Sequence, residues 1–243
     1  MKRILIFGFI FFILTACGGG GDDNPYPLQD PTGVWIGNYS VMSPEVKRSW
    51  DLKGVVLEGR WMLFHDDYLY YSSSDNLYEG TPIVTEQFFD GDFRTYWNNS
   101  FDSNKYYDGI VFTKDHIYGS TESDDWDLSQ FSMYYSDLTE RGASLTILES
   151  NWSETKSSIT TTLSIDSTGI IHGSDTNGCI YNGTIQAPNT NKNIYKIEVN
   201  LSMCDELDGD YSGLGFTSGA TNDLFQFSIS NLDHFINLTI KRV

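Results

Sequence analysis

The sequence has few of the features that mark a catalytic or a nucleic-acid-binding protein. Its 243 residues include only four histidines, and 15 Lys and Arg stand against 33 Asp and Glu, so the formal net charge is -18. Nucleic acid and anionic lipid are poor partners for such a negative surface. The Gly-x-Ser-x-Gly, His-Glu-x-x-His and phosphate-binding glycine-loop motifs do not occur. We therefore predict no catalytic residue, no metal ligand set and no enzyme activity.

Long apolar runs are also missing. The run from Ile4 to Leu14 is shorter than the about 20 residues that a membrane-spanning helix needs. It follows Lys2-Arg3 and ends in small residues, a pattern typical of a secretory signal peptide, so we expect residues 1–16 to be removed. Loss of these two cations would take the formal charge from -18 to about -20.

The residues Leu14-Thr15-Ala16-Cys17 resemble the lipobox of bacterial lipoproteins. The resemblance implies cleavage before Cys17, diacylglycerol on its thiol and a further acyl chain, such as palmitate, on its amine. These chains would hold the protein on a lipid bilayer, because each buried methylene contributes about 0.8 kcal/mol. Gly18 follows the cysteine instead of Asp, which in this family implies the outer membrane, either its periplasmic face or the cell surface. The alternative is an ordinary signal peptide with a chance cysteine.

Cysteine is scarce, and the two that remain after Cys17 are Cys179 and Cys204. An exported chain with an even remainder is expected to oxidise them to a disulfide. Folding the chain about the polar loop 188–193 places them opposite each other on neighbouring strands. The alternating pattern nevertheless puts them on different faces unless a bulge intervenes.

Apolar and polar residues alternate with a period of two wherever a period is readable. The clearest cases are Ile159 to Ile165, Phe225 to Ser230 and Ile236 to Lys241, and turn residues separate them at sandwich or barrel spacing. The sequence therefore predicts an all-β fold, an antiparallel barrel or sandwich, built either as one domain or as two β subdomains.

Two hairpins are expected in the first half. Residues 54–64 are apolar on both faces and would form one strand that turns at His65-Asp66-Asp67. The segment Phe88 to Phe93 would turn at Asp90-Gly91, because Asp-Gly is a strong hairpin signal.

The chain after the signal peptide is expected to contain three parts. Residues 17–31 are rich in Gly and Asp and would form a flexible lipidated tether. Regions 32–140 and 141–243 would be two β regions that meet near Thr139 to Gly142, because Gly33 to Gly37 and Asp210 to Gly215 are similar strand signatures. A single continuous domain remains an alternative.

The triplet Gly33-Val34-Trp35 is similar to the Gly-x-Trp of lipocalins. The resemblance implies an eight-stranded barrel whose base Trp35 closes by packing on an Arg of a late strand, and Arg242 is suitably placed. It gives an alternative function, a carrier of an apolar ligand. The other interpretation is that Trp35 is an ordinary core residue.

The 36 aromatic residues, 6 Trp, 15 Tyr and 15 Phe, suit either a folded core or a glycan-binding surface. Trp35, Tyr68, Tyr70 and Trp97 are the candidate ligand-binding side chains. Asp-rich turns could hold calcium, but they lack the spacing of a twelve-residue calcium loop, and turn chemistry accounts for them. These turns are Asp90-Gly91-Asp92, Asp175-Thr176-Asn177-Gly178 and Asp208-Gly209-Asp210.

His65 beside Asp66 and Asp67 is the best acid-base candidate, and it supports a second alternative, an envelope hydrolase. The leading hypothesis is a non-enzymatic, membrane-anchored lipoprotein whose β domain binds an envelope protein or a cell-wall glycan.

Overall fold

The computed structural model describes residues 30–42, 47–65, 76–112, 115–122 and 128–243. The signal peptide, the lipobox and almost all of the expected tether lie outside these residues. Nearly every described element is a β-strand, so the all-β prediction is confirmed. Within the described ranges, no helix has the length and apolar character needed to cross a membrane.

The first part of the chain forms a closed antiparallel barrel of eight strands. Each strand pairs with the next along the chain except that β4 does not pair with β5; β1 pairs with β9, and β4 pairs with β6 to complete the ring. The short β5 pairs with the other half of β6, so β4 and β5 together occupy one position in the ring. The strands are β1 (Gly33–Met42), β2 (Lys47–Leu57), β3 (Arg60–His65), β4 (Asn76–Gly80), β5 (Ile83–Thr85), β6 (Phe88–Trp97), β7 (Ser100–Phe112), β8 (His116–Glu122) and β9 (Leu128–Tyr135).

The second part forms another closed eight-stranded antiparallel barrel, a simple meander in which β10 pairs with β17. The two β subdomains of the sequence prediction are therefore two barrels. The strands are β10 (Ser150–Lys156), β11 (Ile159–Ile165), β12 (Ile170–Asp175), β13 (Ile180–Gln186), β14 (Tyr195–Ser202), β15 (Gly209–Ser218), β16 (Leu224–Ser230) and β17 (Phe235–Arg242).

Both barrel interiors are filled by side chains. Trp35, Trp61 and Phe93 are at most 1% exposed inside the N-terminal barrel, where aromatic rings dominate. The C-terminal barrel buries more aliphatic residues, such as Leu163, Ile185 and Ile240. Filled interiors do not favour the carrier alternative, which needs an apolar internal cavity.

A third apolar cluster lies between the barrels. Outward-facing side chains of β2 and β3, including Val55 and Met62, pack against Leu214 and Phe216 of β15 and Phe235 of β17. The outer faces of these strands are therefore buried as well as their inner faces. This interface fixes which surfaces of each barrel meet and which stay exposed.

The connection between the barrels is a one-turn 3-10 helix, Asp137–Arg141, followed by the short helix α1 (Leu145–Leu148). Asn193, fully buried, fastens this connection to the C-terminal barrel. Its side-chain nitrogen donates to the Leu138 and Thr217 carbonyls, and its oxygen accepts from the Thr217 amide and hydroxyl. All four hydrogen bonds that an Asn side chain can make are present.

Residues 54–64, expected to form one strand, form parts of β2 and β3 with a turn between them. The expected turn at His65-Asp66-Asp67 lies almost entirely outside the described residues and stays a prediction. The expected turn at Asp90-Gly91 is wrong. The turn between β2 and β3 lies at Glu58-Gly59, where both residues have positive φ. Apolar and polar residues do not alternate in residues 54–64, because the inner face of β2 and β3 meets the barrel core and their outer face meets the second barrel. Asp90-Gly91 lies inside the continuous strand β6, and a Cβ at Gly91 would come within 2.8 Å of Pro82. That glycine therefore permits close approach and makes no turn.

Candidate functional site: the cleft between the barrels

A cleft of about 810 Å³ lies between the outer faces of the two barrels. Pockets at domain interfaces that combine shape with a few polar groups are the usual places for ligands. Strands β3, β4 and β6 supply one wall, and β13, β14 and β15 supply the other. The polar lining residues include Arg60, Glu79, Asp92, Arg94, Asn182, Thr184, Glu198, Asn200, Asp210 and Ser212.

The wall from the C-terminal barrel is a regular polar surface. Residues that alternate with the buried positions of a strand point outward. Asn182, Asn200 and Asp210 are direct neighbours across three strands, and the Asn200 amide nitrogen donates to an Asp210 carboxylate oxygen at 2.8 Å. Thr184 and Glu198 form the adjacent row. Side-chain amides, carboxylates and hydroxyls thus stand side by side on one face.

The opposite wall is held in place by Arg60. Its guanidinium pairs with Glu79 at 2.6 Å and donates to the hydroxyl and carbonyl oxygens of Ser212 on the second barrel. The Ser230 hydroxyl donates to the other Glu79 oxygen. The arginine and glutamate side chains are only 26% and 18% exposed. Because their partners Ser212 and Ser230 belong to the second barrel, this network links the barrels at one end of the cleft.

Arg94 and Tyr96 form a second link. The Arg94 guanidinium lies 5.4 Å from the centre of the Tyr96 ring and 5.1 Å from that of Phe101, and it donates to the Leu232 carbonyl. The Tyr96 hydroxyl donates to the Asn231 carbonyl at 2.7 Å, and burial raises the pKa of this hydroxyl to about 12. The turn between β16 and β17 is therefore bound to the N-terminal barrel.

The sequence-predicted aromatic residues do not converge on the cleft. Trp35 is 1% exposed in the core of its barrel, so its ring is not available to stack on an external ligand. Trp97 is 49% exposed at the end of β6, next to the turn Asn98-Asn99. Tyr68 and Tyr70 lie outside the described residues, so their proposed ligand role stays a prediction.

Arg242 packs on a different tryptophan from the one that the lipocalin resemblance implies. Its guanidinium lies 5.0 Å from the ring of Trp152, in the first strand of the second barrel. The Trp152 indole nitrogen donates to the carbonyl of Leu148, four residues earlier. Trp35 makes the same bond to Pro31 and packs edge-on against Tyr135. Trp35 and Trp152 therefore hold equivalent positions in the first strands of the two barrels. The expected match of Gly33–Gly37 with Asp210–Gly215 is wrong, because the latter lies in the sixth strand of the second barrel.

Cys179 and Cys204 form a disulfide with Cα atoms 4.5 Å apart, as the sequence predicts. The register pairs Ile180 with Ser202, one residue away from the expected alignment. Met203 resolves the conflict of faces, because its left-handed backbone (φ 61°) turns the chain after β14 ends. Cys204 then reaches the side of the sheet on which Cys179 is buried.

The described histidines lie on different strands or turns, each beside a neutral partner. His116 contacts the Ser132 hydroxyl, His172 the Asn182 amide oxygen, and His234 the Asn99 carbonyl. The side chain of His65 is outside the described part of the chain, and so are Asp66 and Asp67. Among the described residues, the three histidines do not converge with carboxylates as the hydrolase alternative requires.

The Asp-rich turns satisfy local backbone groups. The Asp175 carboxylate accepts from the amides of Asn177 and Cys179, and Asp208 accepts from the amide of Cys204. Asp90 lies in strand β6. Within the described ranges, no three His, Cys, Asp or Glu side chains are grouped as metal ligands. Calcium stays an untested alternative.

Sequence reasoning missed most of the cleft residues. Asn182, Glu198 and Asn200 occupy the polar positions of well-predicted strands, which any solvated face would also show. Arg60 lies in a stretch that was expected to form the middle of one strand. A sequence signal exists for Asp92 and Asp210, each of which belongs to an Asp-Gly-Asp group.

The fold and cleft define a class of protein, an all-β chain of two linked antiparallel barrels. No protein-family model matches this sequence, and no curated protein matches it significantly. Among solved structures, the isotype 1 transferrin binding protein B from serogroup B Neisseria meningitidis aligns with a TM-score of 0.32 and 10% sequence identity. The alignment covers 83% of this chain and 60% of that chain, so this chain spans less than two thirds of that protein.

Proposed function

We propose that this protein is a non-catalytic binding module of the bacterial cell envelope, anchored by lipid on Cys17, that holds a hydroxyl-rich ligand between its barrels. The cleft is the observation that carries the proposal. Its walls are polar side chains fixed on strands, and a ligand there would contact both barrels. A cell-wall glycan fragment is the ligand class that we favour.

The chemistry of the walls supports this ligand class. Adjacent hydroxyls on a sugar ring both donate and accept hydrogen bonds, and amide and carboxylate side chains offer complementary groups. Asn182, Asn200 and Glu198 stand on neighbouring strands, so several hydroxyls could be bound at once. Arg60 and Arg94 on the facing wall add charged donors, whose hydrogen bonds are stronger than neutral ones.

Ligand binding can be tested with soluble peptidoglycan disaccharides and tetrasaccharides by isothermal titration calorimetry. Asn200→Ala combined with Glu198→Gln should weaken binding by about 100-fold, because each lost hydrogen bond contributes about 0.5 to 1.5 kcal/mol and more when charged. Asn151→Ala combined with Glu149→Gln, exposed positions outside the cleft, is the matched control. Equal affinity of both double variants, or no heat with the wild-type protein, would contradict the glycan proposal.

The lipid anchor requires a separate test, since it rests on the sequence motif alone. Cells that express the full chain should incorporate labelled palmitate, and Cys17→Ala should abolish the label. A wild-type protein without label, released in soluble form on cell lysis, would remove the anchor from the proposal. The cleft proposal would survive that result.

A further inference from the structure

The N-terminal barrel has an exposed apolar face on the side away from the cleft. Tyr134 is 60% exposed, Phe88 is 51% exposed and Ile36 is 41% exposed. Together with the partly exposed Ile110, His116 and Tyr118 they form what we call the outer aromatic face. Contiguous exposed apolar patches are unusual on a protein surface and commonly mark interaction sites.

Strand register makes this face continuous. Ile36 is directly opposite Tyr134, and Tyr134 is opposite His116, whose ring stacks on it at 4.7 Å between centroids. In the next row Tyr118 is opposite Ile110, which is opposite Phe88. The two rows lie two residues apart on β8, so they share one side of the sheet.

The position of the face in the ring leaves it accessible. The second barrel packs on the outer side of β2, β3 and β4, as Val55, Met62 and Leu77 show. The outer aromatic face runs from Ile36 on β1 across β9, β8 and β7 to part of β6, and β7 to β9 lie on the other side of the closed ring from β2 and β3. A partner could therefore bind it without separating the barrels or entering the cleft.

One edge of the face is acidic. Asp90 and Asp108 are directly opposite each other on β6 and β7, and Asp92 is opposite Tyr106. The Tyr106 hydroxyl donates to Asp90 at 3.0 Å, and this hydrogen bond, with the charges of all three carboxylates, raises the pKa of Tyr106. In the described part of the chain these carboxylates have no ion-pair partner. Like charges placed opposite each other on a sheet are unfavourable, so a cation would be stabilised there.

The occupant of the face is not supplied by this chain. After the expected signal peptide, the stretches outside the described residues contain a single cation, Lys114, and the acidic pairs Asp22-Asp23, Asp66-Asp67 and Asp124-Asp125. A second copy would bring a formal charge of -18 toward the same acidic edge. Both arguments point to an external partner of opposite charge.

We propose that the outer aromatic face docks a protein segment rich in lysine and arginine. The guanidinium and ammonium groups would stack on the rings of Phe88, Tyr118 and Tyr134 and pair with Asp90, Asp92 and Asp108. A cation is stabilised over the face of an aromatic ring and also beside a carboxylate. Both kinds of group lie side by side here. The docking site shares one residue with the cleft, Asp92, which lies at the border of both. Its other residues lie outside the cleft.

The test uses a labelled peptide of about twelve residues in which Arg and Lys alternate with Ser, and its binding to the full protein is followed by fluorescence anisotropy. Asp90→Asn combined with Asp108→Asn should weaken binding about tenfold, since it removes two exposed charge pairs and each such pair contributes little on its own. Phe88→Ser combined with Tyr134→Ser should weaken it by a similar factor. Circular dichroism checks that each variant is folded.

Two controls separate specific docking from general attraction. Asp205→Asn combined with Glu206→Gln removes the same charge from an exposed turn of the other barrel, and Ile170→Ser removes an exposed apolar side chain there; both should keep wild-type affinity. Equal weakening by the two charge variants, or wild-type affinity of the aromatic variant, would overturn the proposal. Binding of the face to zwitterionic lipid vesicles in place of the peptide would also overturn it. The glycan test of the cleft has a different readout and different variants.

Discussion

The two barrels share a closing device but differ in what they expose. In each, a tryptophan at the third position of the first strand donates its indole hydrogen to the carbonyl four residues earlier. Among the described residues, the N-terminal barrel exposes seven large apolar side chains and the C-terminal barrel four, and three of the seven, Ile36, Phe88 and Tyr134, belong to the outer aromatic face. The shared tryptophan contact therefore belongs to barrel closure, whereas the outer surfaces of the two barrels differ.

The barrels also differ in how they are stabilised. The N-terminal barrel fills its interior with large rings, including Trp61, Phe89, Phe93 and Tyr107, which contact one another in tilted or edge-on geometry. The C-terminal barrel has a more aliphatic interior and a disulfide at the end of one hairpin. Perturbations of closure should therefore act alike on the two barrels, while loss of the disulfide should act on one.

The largest effect is expected at the closing tryptophans. Trp35→Ala and Trp152→Ala should each reduce the free energy of unfolding by about 3 to 5 kcal/mol, because each removes a fully buried ring and leaves a cavity. Urea denaturation followed by circular dichroism measures the change. Trp97→Ala is the control, since this ring is 49% exposed and its loss should cost less than about 1 kcal/mol. A large loss of unfolding free energy for one variant and a small loss for the other would show that the two tryptophans are not equivalent in closing their barrels.

Removal of the disulfide comes next. Cys179→Ser combined with Cys204→Ser should lower the stability of the C-terminal barrel by about 3.5 kcal/mol in the chain-entropy model, because the bond closes a loop with a sequence separation of 25. Hydrogen exchange resolved by peptide should show the loss in β13 and β14 and leave β6 to β8 unchanged. Equal deprotection of both barrels would show that the disulfide stabilises the pair as one unit.

The link between the barrels should give a smaller effect. Arg60→Met removes the arginine donor from one Glu79 oxygen and from the Ser212 carbonyl, which costs about 1 to 3 kcal/mol. We expect thermal unfolding to change from one transition to two, because the barrels lose coupling. Lys196→Met breaks an exposed pair with Glu58 across the same interface and should cost less than about 1 kcal/mol. If this control separated the transitions equally well, the Arg60 network would have no special part in coupling.

Sequence reasoning was most successful where one face of a strand met the core and the other met water. Ile159 to Ile165 alternates cleanly with threonine and serine, and Thr161, Leu163 and Ile165 are the buried positions of β11. It failed at β2 and β3, because Val55 and Met62 point toward the second barrel and erase the alternation. The local alternation of apolar and polar residues indicates which side chains are buried. It does not indicate whether their own barrel or the other barrel buries them.

The candidate sites were harder to predict for the same reason. Asn182 and Asn200 look like ordinary solvated positions until the second barrel is placed opposite them. Asp90-Gly91 was interpreted as a turn, although the glycine serves the close approach of Pro82 and the aspartate belongs to the acidic edge of an outer surface. The disulfide was predictable because cysteine chemistry in an exported chain does not depend on register.

The smallest effect should appear at alkaline pH and can sharpen the comparison further. Burial raises the pKa of Tyr96, at the interface, and of Tyr181 and Tyr211, in the C-terminal barrel, to about 12. A tyrosine in the unfolded chain loses its proton near pH 10. A pKa that is raised in the folded state contributes stability that is complete below pH 10 and is lost as the pH rises toward 12.

The free energy of unfolding should therefore fall between pH 10 and about 12, and phenolate absorbance should appear together with loss of the circular dichroism signal. Tyr181→Phe combined with Tyr211→Phe should make this fall shallower for the C-terminal barrel, and Tyr96→Phe should reduce the loss of coupling between the barrels. Each of these hydroxyls has a hydrogen-bond partner, so the variants are less stable at neutral pH and only the slope against pH is compared. Phenolate absorbance that reached its full amplitude near pH 10 while the protein stayed folded would contradict the argument from burial.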